Sequence, residues 1–268
     1  MRGDPLNWSI PLPWRPAGVV VRIHILFVCV ALGVILWVAT SKQFAPGLWS
    51  QACVVLLLLF CAVLAHEFGH VFAARRVGGD AMEILLWPLG GLTHVDVPHS
   101  PRANLFAVLG GPMVNFVLAG LAGIAIVSIG FVPPLNPLSS PLNPKMYSWK
   151  DRVWYGSVAN PNDPTMYYFV DPDTGEHKQV EIILDRQKDG QGYKIRESSP
   201  PVVHGGTKEQ PVLFVKEHVS QKEIRVEPAR LQRWQTFLAQ IFWVHWLVFC
   251  LNLLPAFPLD GARIFQSW

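Results

Sequence analysis

Four stretches of the chain contain no Lys, Arg, Asp or Glu: residues 23–41, 43–65, 103–144 and 234–259. Crossing a bilayer takes about 20 mostly apolar residues, each adding about 1.5 Å of helix. The first two stretches therefore predict one helix apiece. The third predicts a helix over about residues 104–131 and then the proline-rich exit "VPPLNPLSSPLNP". The fourth predicts a helix that breaks at "NLLPAFP", where two prolines remove backbone donors.

Polar positions are concentrated elsewhere. Of the 41 charged residues, 27 lie between Lys145 and Arg233. Within residues 145–230 the runs "DRVWYGSV", "TMYYFV", "KQVEIILD", "GYKIRES", "PVLFVKEHV" and "KEIRVE" are β-branched or aromatic, and several alternate. Turn signals separate them at "DPDTG", "QKDGQG" and "HGGTKEQP". No helical apolar period runs through this segment, so it predicts a β-rich insert. The expected division is residues 1–22 as an N-terminal segment, 23–132 as a first membrane part, 133–232 as the insert and 233–268 as a second membrane part.

Basic residues near the span ends set the expected orientation. Arg15 and Arg22 precede the first span, Arg75 and Arg76 follow the second, Arg102 precedes the third and Arg263 follows the fourth. All six share one side if the N-terminus is cytoplasmic, which leaves the insert extracytoplasmic. The N-terminus lacks a cleavable signal pattern, so the first span is expected to stay in the mature protein. Composition agrees with a membrane protein: 51% of residues are hydrophobic and 11 are Trp. Between Lys145 and Arg233, 14 basic residues face 13 acidic ones, so no nucleic-acid-binding patch is expected. Cys29, Cys53, Cys61 and Cys250 all lie in apolar stretches without a C-x-x-C pair, which argues against a disulfide framework or a cysteine metal site.

The second apolar stretch runs into "LAHEFGHVFAARR" at residues 64–76. His66 and His70 stand at i and i+4 on one helix face, where both rings can address one ion. Glu67 lies about 100° round the helix, near enough to take a proton from a water on that ion. Ionisable groups are costly at membrane depth, so they face a cavity or each other. Interhelical hydrogen bonding would explain two histidines there, but not Glu67 at that spacing. A catalytic zinc takes three protein ligands and keeps one open position. Asp260, His245, His24, His94 and Asp96 are the candidates for the third.

Depth favours Asp260. His66 lies about 24 Å from the outer surface counted along its helix, Asn252 about 27 Å and His245 only about 16 Å. Asp260 follows the break after Asn252, near the level of the histidines. His245 and His24 then read as hydrogen-bonded packing residues. The freed backbone of "NLLPAFPLDG" survives only against protein or water, and a hydrolytic metal needs water beside it.

"HEFGH" at 66–70 and "NLLPAFPLDG" at 252–261, with "PLGGLTHVD" at 88–96 and "GGPMVN" at 110–115 between them, resemble the site-2 protease family of intramembrane zinc metalloproteases. The resemblance covers most of residues 50–132 and 234–265. It implies an α-helical polytopic membrane protein with about four transmembrane helices, one of them broken. A membrane-associated edge strand and the small extramembrane β-rich insert complete the expected fold. It implies that His66, His70 and Asp260 hold one Zn²⁺ per chain, with Glu67 as general base. Gly90, Gly91, Leu92 and Thr93 would lie on the edge strand that pairs with an unwound substrate. Asn115 and Asn252 would bind the scissile carbonyl or orient a ligand, or else join helices.

The implied substrates are transmembrane proteins, cleaved within the bilayer of a bacterial plasma membrane. The insert occupies the place of a PDZ domain in some members but lacks that domain's carboxylate-binding loop, which leaves it as a site for a regulatory partner. Members usually continue beyond the second motif, so the resemblance also implies more chain after Trp268. The alternative reading is a non-hydrolytic membrane zinc transporter or sensor, which would bind zinc without cleavage.

Overall fold

The computed structural model describes residues 8–44, 47–88, 90–150, 154–156, 167–170, 177–180, 184–186, 193–195, 202–207, 210–216, 223–228, 231–255 and 259–262. They fall into two compact units. One comprises Met1–Ile124, Leu135–Leu142 and Gln240–Trp268, and the other Ala125–Pro134 and Asn143–Ala239.

The first unit opens with β1 (Ser9–Pro11) and β2 (Val20–His24), which pair antiparallel. α1 (Ile25–Thr40) and α2 (Trp49–Arg76) follow, then β3 (Asp80–Trp87), β4 (Gly90–Asp96) and α3 (Pro101–Ser128). β2 and β3 pair parallel, and the crossover that a parallel pair demands is supplied by α1 and α2. β3 and β4 pair antiparallel, and the order β1-β2-β3-β4 leaves β4 at the edge, as expected for residues 90–95.

Among the described residues, three helices are long and apolar enough to cross a membrane: α2, α3 and α4 (Arg233–Asn252). The first apolar stretch differs from expectation. Its opening residues extend β2, and the helix begins only at Ile25, capped by His24 Nδ1 accepting from the Leu26 amide at 3.2 Å. α1 is thus 16 residues long. Strand pairing takes the start of this stretch because β1 and β3 offer it backbone partners on both sides. α2 instead runs on past its apolar stretch to Arg75 and Arg76, whose charges suit a helix C-terminus. Arg75 then donates to Asp80 at 2.8 Å and to the Ala17 carbonyl at 2.9 Å. This guanidinium holds the Asp80 carboxyl below its usual range.

The core lies between the sheet and the helices. Val19, Val21, Ile84 and Leu86 are fully buried and cluster with Ala62, Val71 and Val244. Ala81 and Ile84 both point inward despite their odd spacing, because a bulge between them shifts the register. α3 meets α2 glycine to glycine: a Cβ on Gly110 would overlap the Gly69 backbone, and the reverse holds too. Gly110→Val is therefore expected to lower stability by about 1–3 kcal/mol, read as a lower thermal midpoint of the detergent-solubilised chain. The proline-rich exit is tied down by α4. Trp246 Nε1 donates to the Leu135 carbonyl at 2.8 Å. Gln240 donates to the Pro141 carbonyl at 3.0 Å and to Gln51 on α2 at 3.1 Å.

The second unit carries the β-rich insert. β5 (Phe131–Val132), β6 (Lys145–Ser148) and β7 (Trp154–Gly156) form one antiparallel sheet. β10 (Leu184–Arg186) and β11 (Tyr193–Ile195) form a hairpin. β8 (Tyr167–Val170), β9 (His177–Val180), β12 (Val202–Thr207), β13 (Gln210–Lys216) and β14 (Glu223–Pro228) make a sheet of order β12-β13-β14-β8-β9. The turn read at "HGGTKEQP" is tighter than expected, since Thr207 already pairs with Gln210 and His204–Thr207 belong to β12. The expected turns at 171–175 and 187–192 lie outside the described residues, as do Arg263 and residues 256–258 of the expected break.

Candidate metal centre

The i, i+4 spacing on α2 turns His66 and His70 to one side, and both are buried, with 3% and 5% of their surface exposed. Asp260 stands on a short helical turn after α4 and is 7% exposed. Its Oδ2 lies 2.8 Å from His66 Nε2 and 3.1 Å from His70 Nε2, and the two Nε2 atoms are 3.1 Å apart. His70 Nδ1 sits 2.9 Å from the Ala107 carbonyl on α3. A carbonyl only accepts, so Nδ1 carries a proton, and Nε2 is the ring nitrogen turned to Asp260. Ring nitrogens and a carboxylate oxygen brought together in a buried space repel one another unless a cation or shared protons lie between them. Three such donors match the number of protein ligands that a tetrahedral catalytic zinc takes.

A second grouping is geometrically available. Ligand atoms of His66, Glu67 and His70 lie within 4.8 Å of one another. Asp260 is the better third partner, because it touches both rings at 3.1 Å or less, whereas Glu67 Oε2 is taken by Thr93. The Thr93 hydroxyl, on β4, donates to that oxygen at 2.5 Å. A Cβ on Gly91 would overlap the Glu67 carboxyl, so the β4 backbone lies directly against it. Gly90, whose φ of 144° favours glycine, starts the strand opposite Trp87, and Leu92 pairs with Leu85.

The other expected residues divide. Asn115, wholly buried, lies between two rings: Nδ2 is 3.0 Å from His66 Nδ1, and Oδ1 is 2.7 Å from His245 Nδ1. Asn252 instead donates to the Val248 carbonyl of its own helix at 3.0 Å. His24 caps α1, and Asp96 is exposed at the far end of β4 opposite Asp80. Gly111 also shapes the centre. A Cβ there would overlap Nε2 of both His66 and His70. The clue was present in "GGPMVN", because Gly111 and Asn115 are also i and i+4 and share a face of α3.

Residues 54–268 match the sequence model of peptidase family M50. The chain belongs to that family. Among the M50 chain's relatives, a zinc metalloprotease of Methanocaldococcus jannaschii is 30% identical over 138 residues, 51% of this chain and 37% of its own. Rip3 of Mycobacterium tuberculosis, named as a candidate zinc metalloprotease, is 29% identical over 136 residues, 46% of this chain and 33% of its own. The M50 chain thus spans about a third of the length of these relatives. Among solved structures, the site-2 protease from Methanocaldococcus jannaschii aligns with 97% of this chain and 71% of its own, at 17% identity and a TM-score of 0.47.

Proposed function

We propose that this M50 chain is an intramembrane zinc endopeptidase that hydrolyses peptide bonds in transmembrane segments of other proteins. The observation that carries this reading is the meeting of His66, His70 and Asp260 within 3.1 Å, with Glu67 beside them, on helices apolar enough to cross a membrane. His66, His70 and Asp260 hold one zinc. Bound there, the ion would supply Lewis-acid chemistry, lowering the pKa of a water toward about 7 and polarising the scissile carbonyl.

Glu67 takes the proton from that water and later gives it to the leaving amine. Thr93 holds one carboxylate oxygen of Glu67, leaving the other for the proton. β4, as the open edge of its sheet, pairs through Gly90–Thr93 with an unwound substrate segment, whose backbone groups lipid cannot satisfy. Asn115 orients His66 from behind, and Asn252 steadies the end of α4 before the break. α1 completes a four-span membrane body despite its shorter length. The basic residues beside the spans support a cytoplasmic N-terminus and an extracytoplasmic insert in a bacterial plasma membrane, where the insert meets a regulatory partner.

Elemental analysis of the purified full chain tests the centre. About one zinc per chain is expected in the parent, falling at least about tenfold in His66→Ala and Asp260→Ala while helical circular dichroism stays unchanged. Zinc retained without Asp260 would reject it as a ligand. Stoichiometric zinc with no cleavage of any transmembrane reporter would favour a transporter or sensor.

A further inference from the structure

His245 is the one histidine of α4, and the mechanism above does not use it. Its Nδ1 lies 2.7 Å from Asn115 Oδ1, and the other end of the same amide lies 3.0 Å from His66 Nδ1. The amide is wholly buried, so its polar ends depend on these two rings. Residues from α4, α3, α2 and the turn after α4 thereby form one line: His245, Asn115, His66, Asp260.

The line has two consistent settings. In one, Asn115 Nδ2 donates to His66 Nδ1, the neutral His66 ring carries its proton on Nε2, and Nε2 donates to Asp260 at 2.8 Å. His245 Nδ1 then donates to Asn115 Oδ1. In the other, the amide makes a half-turn that exchanges its two ends without moving its neighbours. Oδ1 accepts from His66 Nδ1, which frees the Nε2 lone pair, and Nδ2 donates to His245 Nδ1. Only the second setting lets His66 bind a metal through Nε2, and it requires an acceptor at His245.

We propose that His245 is a positioning residue of the metal centre: it supplies the acceptor that lets Asn115 take the setting in which His66 can hold zinc. The proposal rests on His66 being a zinc ligand. His245 matters here as an acceptor rather than as a charge. Removing it leaves one end of the Asn115 amide unpartnered in either setting, and stranding the Nδ2 hydrogen costs more than stranding the oxygen, which favours the setting in which His66 is closed to metal.

The test is the zinc dissociation constant of the full chain in detergent, measured by competition with a chelator of known affinity. His245→Phe keeps the ring volume without a nitrogen, and is expected to weaken zinc binding about 10–100-fold. His245→Asn puts an amide oxygen where Nδ1 stood and is expected to stay within about threefold of the parent. In an Asn115→Leu background, His245→Phe is expected to add nothing, because the link it breaks is already gone. A packing role predicts instead that His245→Asn fails as badly as His245→Phe and that the two losses add, and either result overturns the proposal. If His245→Phe does not fold, His245→Leu replaces it under the same criteria. Zinc lost in His66→Ala but bound normally in His245→Phe overturns this proposal alone. Zinc retained in His66→Ala overturns the ligand assignment and this proposal together.

Discussion

Glu67→Gln is expected to slow cleavage of a transmembrane reporter by about 10²–10⁴-fold while leaving zinc content near that of the parent. Glutamine has the shape of glutamate and can still accept the Thr93 hydroxyl, so the contact with β4 survives. It cannot take up a proton from water at neutral pH. The zinc measurement is what makes the result decisive. Glu67 also belongs to the wider donor group with His66 and His70, within 4.8 Å. If it were a ligand, the variant would lose zinc and activity together. If it is the base, activity falls alone. Activity that survives the substitution would remove Glu67 from the mechanism.

Gly111→Val is expected to reduce zinc content at least about tenfold, although residue 111 offers no ligand and touches no substrate. A Cβ is fixed to the backbone and cannot rotate away, and at this position it would overlap Nε2 of both histidines. Either α3 moves off α2 or the rings turn aside, and each outcome spoils the three-donor geometry on which affinity depends. The control lies on the same helix. A Cβ on Gly120 would meet nothing within 4 Å, so Gly120→Ala is expected to keep its zinc and the parent's thermal midpoint. Equal zinc loss in both variants would mean that α3 tolerates no side chain in place of glycine, and would detach Gly111 from the metal centre.

What could be read directly was whatever depends on neighbours along the chain. Helical geometry alone puts His66 and His70 on one face with Glu67 beside them, and an uncharged run of sufficient length alone makes α2, α3 and α4 able to cross a membrane. Depth along two helices brought Asp260 to the level of the histidines. A level is one coordinate, and it does not say which faces of the helices turn toward each other.

The tertiary structure decided the rest. It closed the 194-residue separation between His66 and Asp260 to 2.8 Å, a contact between side chains from different helical elements. It turned Asn115 into a bridge between two rings and Asn252 back onto its own helix, although both are asparagines in apolar surroundings next to motif residues. It gave the start of the first apolar stretch to β2, because β1 and β3 offered backbone partners that outcompeted another turn of helix. Periodicity reports the faces a segment owns, whereas packing selects which of those faces meet. His66, His70 and Glu67 were therefore legible from spacing, while the partners that orient them became visible only once the helices were assembled.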